Sequence, residues 1–383
     1  MIRLSMACVD GEEIESIKQV FEDGAKFGLG RFVGEFEADL AEFVGGDREV
    51  ICVNTGTSAL HIALEAMNFP RGAEVIVPSI TYLASFSAIS AAGLKPVACD
   101  ILLPSGHIDP EDCGRRINSK TVAIMPIAYA GVDFARKEIY ELAKINSLRV
   151  IEDDAHAFGA DTSNGKKFGS EGDVVCFSFD GIKNITCGEG GAVFTSDLKL
   201  ANTIRVMRSL GVEKDVELRY KGSRAWEFDA KVQGFRYHMS NINAAIGRTQ
   251  LRKIAKFFEI KSEILMLYHK LLDEHGLFEI VPTQQFRKEN FLHIFNCLLP
   301  SHIDRGDVRT RMLSLGVETG VHYQPNHSHT LYASDYALPN SDLFGRHTLT
   351  LPFHANLSKD DIERIISTLK SCLIESEALT SNV

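Results

Sequence analysis

The strongest constraint on the fold is an alternation. Seven short apolar runs, rich in β-branched residues, lie at 50–53, 74–77, 96–99, 121–127, 149–151, 174–179 and 191–195. Most are too short for helices, and turn residues such as Pro78 bound them, so they fit buried strands. Segments with helical spacing fall between several of them, at 58–67, 82–92 and 137–146. Strands alternating with helices predict an α/β domain around a mostly parallel sheet. Such sheets bind ligands in the loops beyond the carboxyl ends of their strands, so chemistry is expected just after each run.

Upstream, Ile14, Ile17, Val20 and Phe21 give a helix over 12–23. A glycine-rich stretch with Gly28, Gly30 and Gly34 follows, then a helix over 36–43. The pattern changes after 240. A long helical region spans 241–276, apolar runs lie at 278–281 and 293–298, and helical patterns recur at 305–315 and 360–373. This reads as a smaller α+β domain. The expected division is a large α/β domain over 12–248 and a small C-terminal domain over 249–383, with residues 1–11 packing on the latter.

The net charge of −10 argues against a broad basic surface for nucleic acid, although a local donor cluster can still hold a small anion. No apolar run approaches the roughly 18 residues of a membrane span. The N-terminus lacks a basic region followed by a long apolar stretch. The 8 cysteines form no CxxC pair and read as buried thiols of a reducing compartment. A chain in the cytoplasm, with no membrane or nucleic-acid partner, is expected.

Three strand ends carry candidate chemistry. After the first run comes Asn54-Thr55-Gly56-Thr57-Ser58, which opens a helix. Glycine allows a tight turn, hydroxyls donate, and a helix N-terminus favours a phosphate. The same residues also fit a plain N-cap by Thr57 or Ser58. After the fifth run comes Glu152-Asp153-Asp154-Ala155-His156. Three acids after a buried strand need partners or solvent. They suit a metal, a protonated ring nitrogen or simple capping of the next segment. The sixth run ends in Ser178-Phe179-Asp180-Gly181-Ile182-Lys183-Asn184, followed by Gly188-Glu189-Gly190-Gly191.

A phosphate cup, an acid and a lysine after successive strands resemble the fold-type I pyridoxal-phosphate (PLP) transferases. The segments Gly56-Thr57-Ser58-Ala59-Leu60, Pro78-Ser79-Ile80-Thr81-Tyr82, Glu152-Asp153-Asp154-Ala155-His156 and Phe177–Lys183 resemble, more narrowly, the DegT/DnrJ/EryC1/StrS family of nucleotide-sugar aminotransferases. The resemblance runs from the Gly30 region to Pro352. It implies that Lys183 is the Schiff-base lysine and moves the proton between cofactor and substrate carbon. It places Asp153 on the pyridine nitrogen, His156 near the 3-hydroxyl and Tyr82 against the ring. Gly56, Thr57, Ser58 and Ser178 hold the phosphate, with a further ligand from the partner subunit of a homodimer, where the matching positions are Arg236 and His238. Asp154 departs from the family's usual Ala or Cys.

The resemblance further implies L-glutamate as amino donor and a nucleoside-diphosphate keto sugar as acceptor. The lysine motif and the Pro325-Asn326-His327 loop look most like enzymes that aminate dTDP-4-keto-6-deoxy-D-glucose to a 4-amino-4,6-dideoxy sugar. A 3-keto sugar or a UDP- or GDP-linked one stays open. His322, Tyr323, Asn326 and His327 are the expected sugar-side residues, and Arg31, Lys221, Arg224 and Arg236 are candidate diphosphate donors. A zinc site at His322, His327 and His329 lacks a Cys partner and HExxH spacing, so no metal is expected. Sugar dehydratases of the same family carry His where Lys183 stands. A PLP-binding regulator calls for a DNA-binding region, and none is visible. A Rossmann oxidoreductase needs GxGxxG after a strand, and Gly28, Gly30 and Gly34 do not give it.

Overall fold

The computed structural model of the chain describes residues 1–212, 229–287 and 290–380. All seven expected runs are strands of one sheet: β1 (Glu49–Val53), β2 (Glu74–Pro78), β3 (Lys95–Cys99), β4 (Thr121–Ile124), β5 (Arg149–Asp153), β6 (Val174–Ser178) and β7 (Gly191–Thr195). Their order is β1-β7-β6-β5-β4-β2-β3. β7 runs antiparallel to both of its neighbours, and every other pairing is parallel. Because β1 and β6 both oppose β7, they point the same way as β5. The carboxyl ends of β1, β5 and β6 therefore meet at one edge, the edge that carries the three motifs.

The strands are buried along almost their whole length because helices cover both faces. α1 (Gly11–Glu22) starts with a capping box between Asp10 and Glu13. α2 (Arg31–Val44) begins five residues earlier than its apolar pattern suggests and takes in Gly34. Gly30 is its N-cap, and a Cβ there would lie 2.7 Å from Asn241 Nδ2. Asn241 in turn accepts from Val33 N–H at 3.3 Å and donates to the Lys26 carbonyl at 2.7 Å. The glycine-rich stretch thus serves a close backbone approach. α3 (Gly56–Ala66) follows β1 directly, and α4 (Leu83–Ala91) follows the β2 motif.

β1 lies at the sheet edge, where its free backbone groups need partners. Cys52 N–H donates to Glu37 Oε1 at 2.8 Å, and Arg208, fully buried, donates to the Cys52 carbonyl at 2.6 Å and to Glu37. This brace fixes the strand that leads into the Gly56 turn.

Four expectations are corrected. The run at 121–127 stops at Ile124, because Pro126 has no N–H for the ladder; Ile127 makes only an isolated bridge to Asp153. The helical region 241–276 is two helices, Asn241–Arg252 and Ile254–Glu274, meeting at Lys253, whose amine binds Asp10 and Glu13 of the α1 capping box. The run at 278–281 is a 3₁₀ turn over Phe278–Ile280, with Phe278 stacked on Phe286. The run at 293–298 shortens to a strand over Phe295–Leu298, which pairs antiparallel with an unexpected strand, Thr348–Leu351. That strand pair, the helices Ile254–Glu274, Arg305–Ser314 and Lys359–Thr380, and Ile2 share an apolar core of their own. Ile2 also bridges Val317.

Candidate active site

At the shared edge α3 is pulled hard against β6. A Cβ on Gly56 would stand 2.7 Å from Ser178 Cβ, and one on Gly191 would stand 2.4 Å from the Thr55 carbonyl oxygen. Only glycine allows both approaches. Thr55 caps the helix, its Oγ1 accepting from Ser58 N–H at 3.0 Å. The Gly56 and Thr57 N–H groups in the first turn have no intrahelical acceptor, and the helix dipole adds positive potential there. They open onto a cavity of about 400 Å³ lined also by Ser178, Asp153, His156, Lys183, Tyr82, His322 and Tyr323.

Lys183 leaves β6 through a turn in which its N–H donates to the Asp180 carbonyl at 3.1 Å. Burial pushes its amine down to about 8, against the upward pull of Asp153 and Asp180. Asp153 ends β5. Ser85 Oγ donates to its Oδ2 at 2.7 Å, and Ala155 N–H donates to its Oδ1 at 3.3 Å. Burial pushes this carboxyl up, while those donors and Lys183 pull it down.

The histidines at the site are neutral. His156 is held well below its ordinary value by burial and then by Lys183. Ala130 N–H donates to His156 Nδ1 at 3.3 Å, so the ring proton is assigned to Nε2, which donates to the Tyr323 hydroxyl at 2.9 Å. The Tyr323 O–H is then left to donate elsewhere. His322 is pushed down to about 4 by burial and Lys183, and its Nδ1 lies 2.8 Å from Thr350 Oγ1.

The sequence matches the DegT/DnrJ/EryC1/StrS aminotransferase family over residues 7–370. The chain belongs to this family. A GDP-perosamine synthase of Caulobacter vibrioides is 34% identical over 97% of this chain and 99% of its own. A dTDP-4-dehydro-2,3,6-trideoxy-D-glucose 4-aminotransferase of Saccharopolyspora spinosa is 30% identical over 95% of each. Among solved structures, Helicobacter pylori PseC, an aminotransferase of pseudoaminic acid biosynthesis, superposes with a TM-score of 0.90 at 26% identity, over 98% of this chain and 99% of that one. The protein is a PLP-dependent aminotransferase of nucleotide-linked sugars.

The family's cofactor fits the residues present. The Gly56–Thr57 turn and the Thr57 and Ser178 hydroxyls make a donor set for its phosphate. Asp153, braced by Ser85, offers an acceptor for its ring N–H. Lys183 supplies an amine in the same cavity, and Tyr82, 63% exposed, stands at the mouth.

Several expected site residues lie elsewhere. The Ser58 hydroxyl is engaged with Thr55 Oγ1 at 2.9 Å and does not line the cavity. Asn326 is buried and donates to the Ser79 and Thr81 carbonyls at 3.1 and 2.7 Å. His327 binds Ser79 Oγ at 2.7 Å and Asp342 at 3.2 Å. Both clamp their loop onto the segment leading to Tyr82, and neither faces the cavity. Arg236 and His238 bridge to Ser209 and Val53 and do not line this chain's cavity. Arg31 pairs with Asp23 and Glu35. Lys221 and Arg224 fall outside the described residues.

The Asp154 carboxylate is neither solvated nor hydrogen-bonded among the described residues. It is fully buried, with Arg136 Nη2 at 3.9 Å, and burial beside Glu152 pushes its carboxyl well above the usual range. Glu152 takes the better contacts, accepting from Arg136 and from the Tyr140 hydroxyl at 2.5 Å.

Two residues escaped the sequence reading. Ser85, which orients Asp153, looks like a mere interruption of an apolar helix. Its one signal is a polar group on a face that must be buried. His293, with Nε2 3.3 Å from Lys183 Nζ, sits in an ordinary alternating run.

Proposed function

We propose that this enzyme moves the amino group of L-glutamate to a 4-keto sugar on a nucleoside diphosphate, with dTDP-4-keto-6-deoxy-D-glucose as acceptor and a 4-amino-4,6-dideoxy sugar as product. The observation that carries this is one cavity holding the Lys183 amine, the buried Asp153 carboxylate and the glycine-cut helix N-terminus. Bound PLP supplies an electron sink that lets the carbon bearing the amino group lose its proton. Lys183 takes and returns that proton, because burial brings its amine down to about 8, where it can both accept and release a proton near neutral pH. Asp153 keeps the ring nitrogen protonated. His156, neutral and fixed by Ala130, orients the Tyr323 hydroxyl. The Gly56–Thr57 turn and Ser178 anchor the phosphate. His322 and Tyr323 form the sugar side.

The dTDP choice is supported by the Saccharopolyspora relative, whose name carries dTDP and amination at C-4. The Caulobacter relative favours a second reading, a GDP-linked acceptor. The test incubates the enzyme with L-glutamate and a panel of 3-keto and 4-keto sugars on dTDP, UDP and GDP. Release of 2-oxoglutarate and formation of amino-sugar nucleotide are followed by mass spectrometry. Amination of the dTDP-4-keto sugar first is the expected result. Preference for a GDP sugar moves the assignment to the second reading, and no accepted sugar refutes the acceptor class. Within the panel, His322→Ala should raise the sugar KM roughly tenfold or more, the cost of one lost buried hydrogen bond, and leave the glutamate KM nearly unchanged. Equal effects on both contradict a sugar-side role.

We also propose a homodimer in which Arg236 and His238 complete the partner's phosphate site. The support is that both lie on a segment pinned beside β1, yet outside their own chain's cavity. Sedimentation of the PLP-loaded protein as a monomer at working concentration contradicts it. The division at 248/249 belongs to the same reading, moved to Lys253 so that the helix Asn241–Arg252 stays whole.

A further inference from the structure

His293 lies two residues before the strand Phe295–Leu298, in the part of the chain remote in sequence from the three motifs. Its backbone is fixed, its N–H donating to the Ala130 carbonyl at 2.9 Å. Its ring packs on His156 with centroids 4.5 Å apart, and the residue is 6% exposed. Its Nε2 stands 3.3 Å from Lys183 Nζ. Its Nδ1 is buried with no hydrogen-bond partner among the described residues. Among the described residues the imidazole's one hydrogen-bonding contact is therefore with the amine of Lys183.

A neutral imidazole has one N–H and one bare lone pair. Burial holds His293 neutral, helped by Lys183, His156, Lys261 and His322 around it. An ammonium offers three N–H groups and a free amine two, so with the ring proton on Nδ1 the Nε2 lone pair can accept from Lys183 in either state. A lysine side chain is long and rotatable. Tying one N–H to Nε2 sets the direction of the remaining substituents on nitrogen. We propose that His293 is a positioning residue for Lys183: its Nε2 accepts an N–H of the amine and holds the nitrogen's lone pair toward the cavity once the proton is lost. The inference rests on Lys183 being the working amine of the transaminase.

The contact has a consequence for titration with a definite sign. A hydrogen bond from an ammonium is stronger than one from a neutral amine, so the acceptor favours the charged form and raises the amine's pKa. The groups facing Lys183 are Asp153 and Asp180, which also raise it, and the neutral His156, His293 and His322. Lys261, behind His293, is tied to Asn184 Oδ1 at 2.8 Å. Removing the His293 acceptor while the site stays dry should move Lys183 below its value of about 8. Mere loosening of the site would admit water and move it upward, toward the ordinary lysine value.

The test is trace acetylation of the full chain, without added PLP, over the pH range of the Lys183 titration, with the Lys183 peptide read by mass spectrometry. His293→Phe keeps a ring without nitrogens. His293→Asn keeps polarity but not reach, and stands in if the Phe variant does not fold. His293→Gln restores a polar atom near the Nε2 position. The expected result is a lower Lys183 pKa in the Phe and Asn variants and a return in Gln. Turnover of the PLP-loaded Phe and Asn variants should also fall roughly 100-fold, as for a misplaced reacting group, and recover in part with Gln. An unchanged or raised Lys183 pKa in Phe and Asn overturns the proposal, as does a Gln variant displaced as far as Phe. The titration needs no cofactor, donor or acceptor, so its outcome is separate from that of the transaminase assay.

Discussion

A lysine amine can act as base or nucleophile near neutral pH only if its proton is cheap to remove. Lys183 meets this condition by desolvation, since its two acidic neighbours pull the other way. In the proposed reaction Asp153 faces the opposite demand and must stay charged while buried. Ser85 and Ala155 N–H supply the donors that favour its anion. Asp153→Asn keeps the size and a hydrogen-bonding oxygen but removes the charge, so the ring nitrogen loses its counterion. Turnover should fall at least about 100-fold while Lys183 still attaches PLP, seen as a retained visible absorbance band. Near-normal steady-state turnover in that variant contradicts the role. The sequence sets Lys183, Asp153 and His156 at or just beyond strand ends, and the structure brings the three to one cavity. Ser85 and His293 were not legible in the sequence, because their partners lie 68 and 110 residues away and neither has a local motif.

Elements were legible where hydrophobic period and punctuation agreed. The seven strands emerged because each is buried on both faces and leaves a continuous apolar run. Boundaries drifted where another force intervened. α2 starts at a glycine pressed on Asn241, a contact 211 residues away in sequence and invisible to local pattern. The long helix broke at Lys253, whose amine serves three acids around the start of α1. The strand Thr348–Leu351 was missed because it is four residues long and follows directly on the helix Pro339–His347, with no turn signal between. At the site, the same logic separates cup from clamp. Gly56 belongs to the cup because its missing Cβ lets α3 reach β6. Asn326 and His327 sit in a loop that looks substrate-facing in sequence, yet their donors close on Ser79 and Thr81.

For the whole molecule, an acidic chain of net charge −10 must bind a nucleotide-linked sugar, itself an anion. Long-range attraction cannot supply that, so affinity depends on donors placed locally around the cavity mouth. The family membership was legible because four motifs stand in order along the chain; the nucleotide was not, because no motif in the sequence distinguishes one base from another. The most direct test of the central claim is the absorbance of the PLP-loaded enzyme during a single cycle. Wild-type protein should show the visible band of cofactor bonded to Lys183, lose it on adding L-glutamate and regain it with one nucleotide keto sugar, while Lys183→Ala lacks the Lys183-bonded band and does not turn over. No visible band in the wild type, or one that persists unchanged through glutamate, contradicts the account.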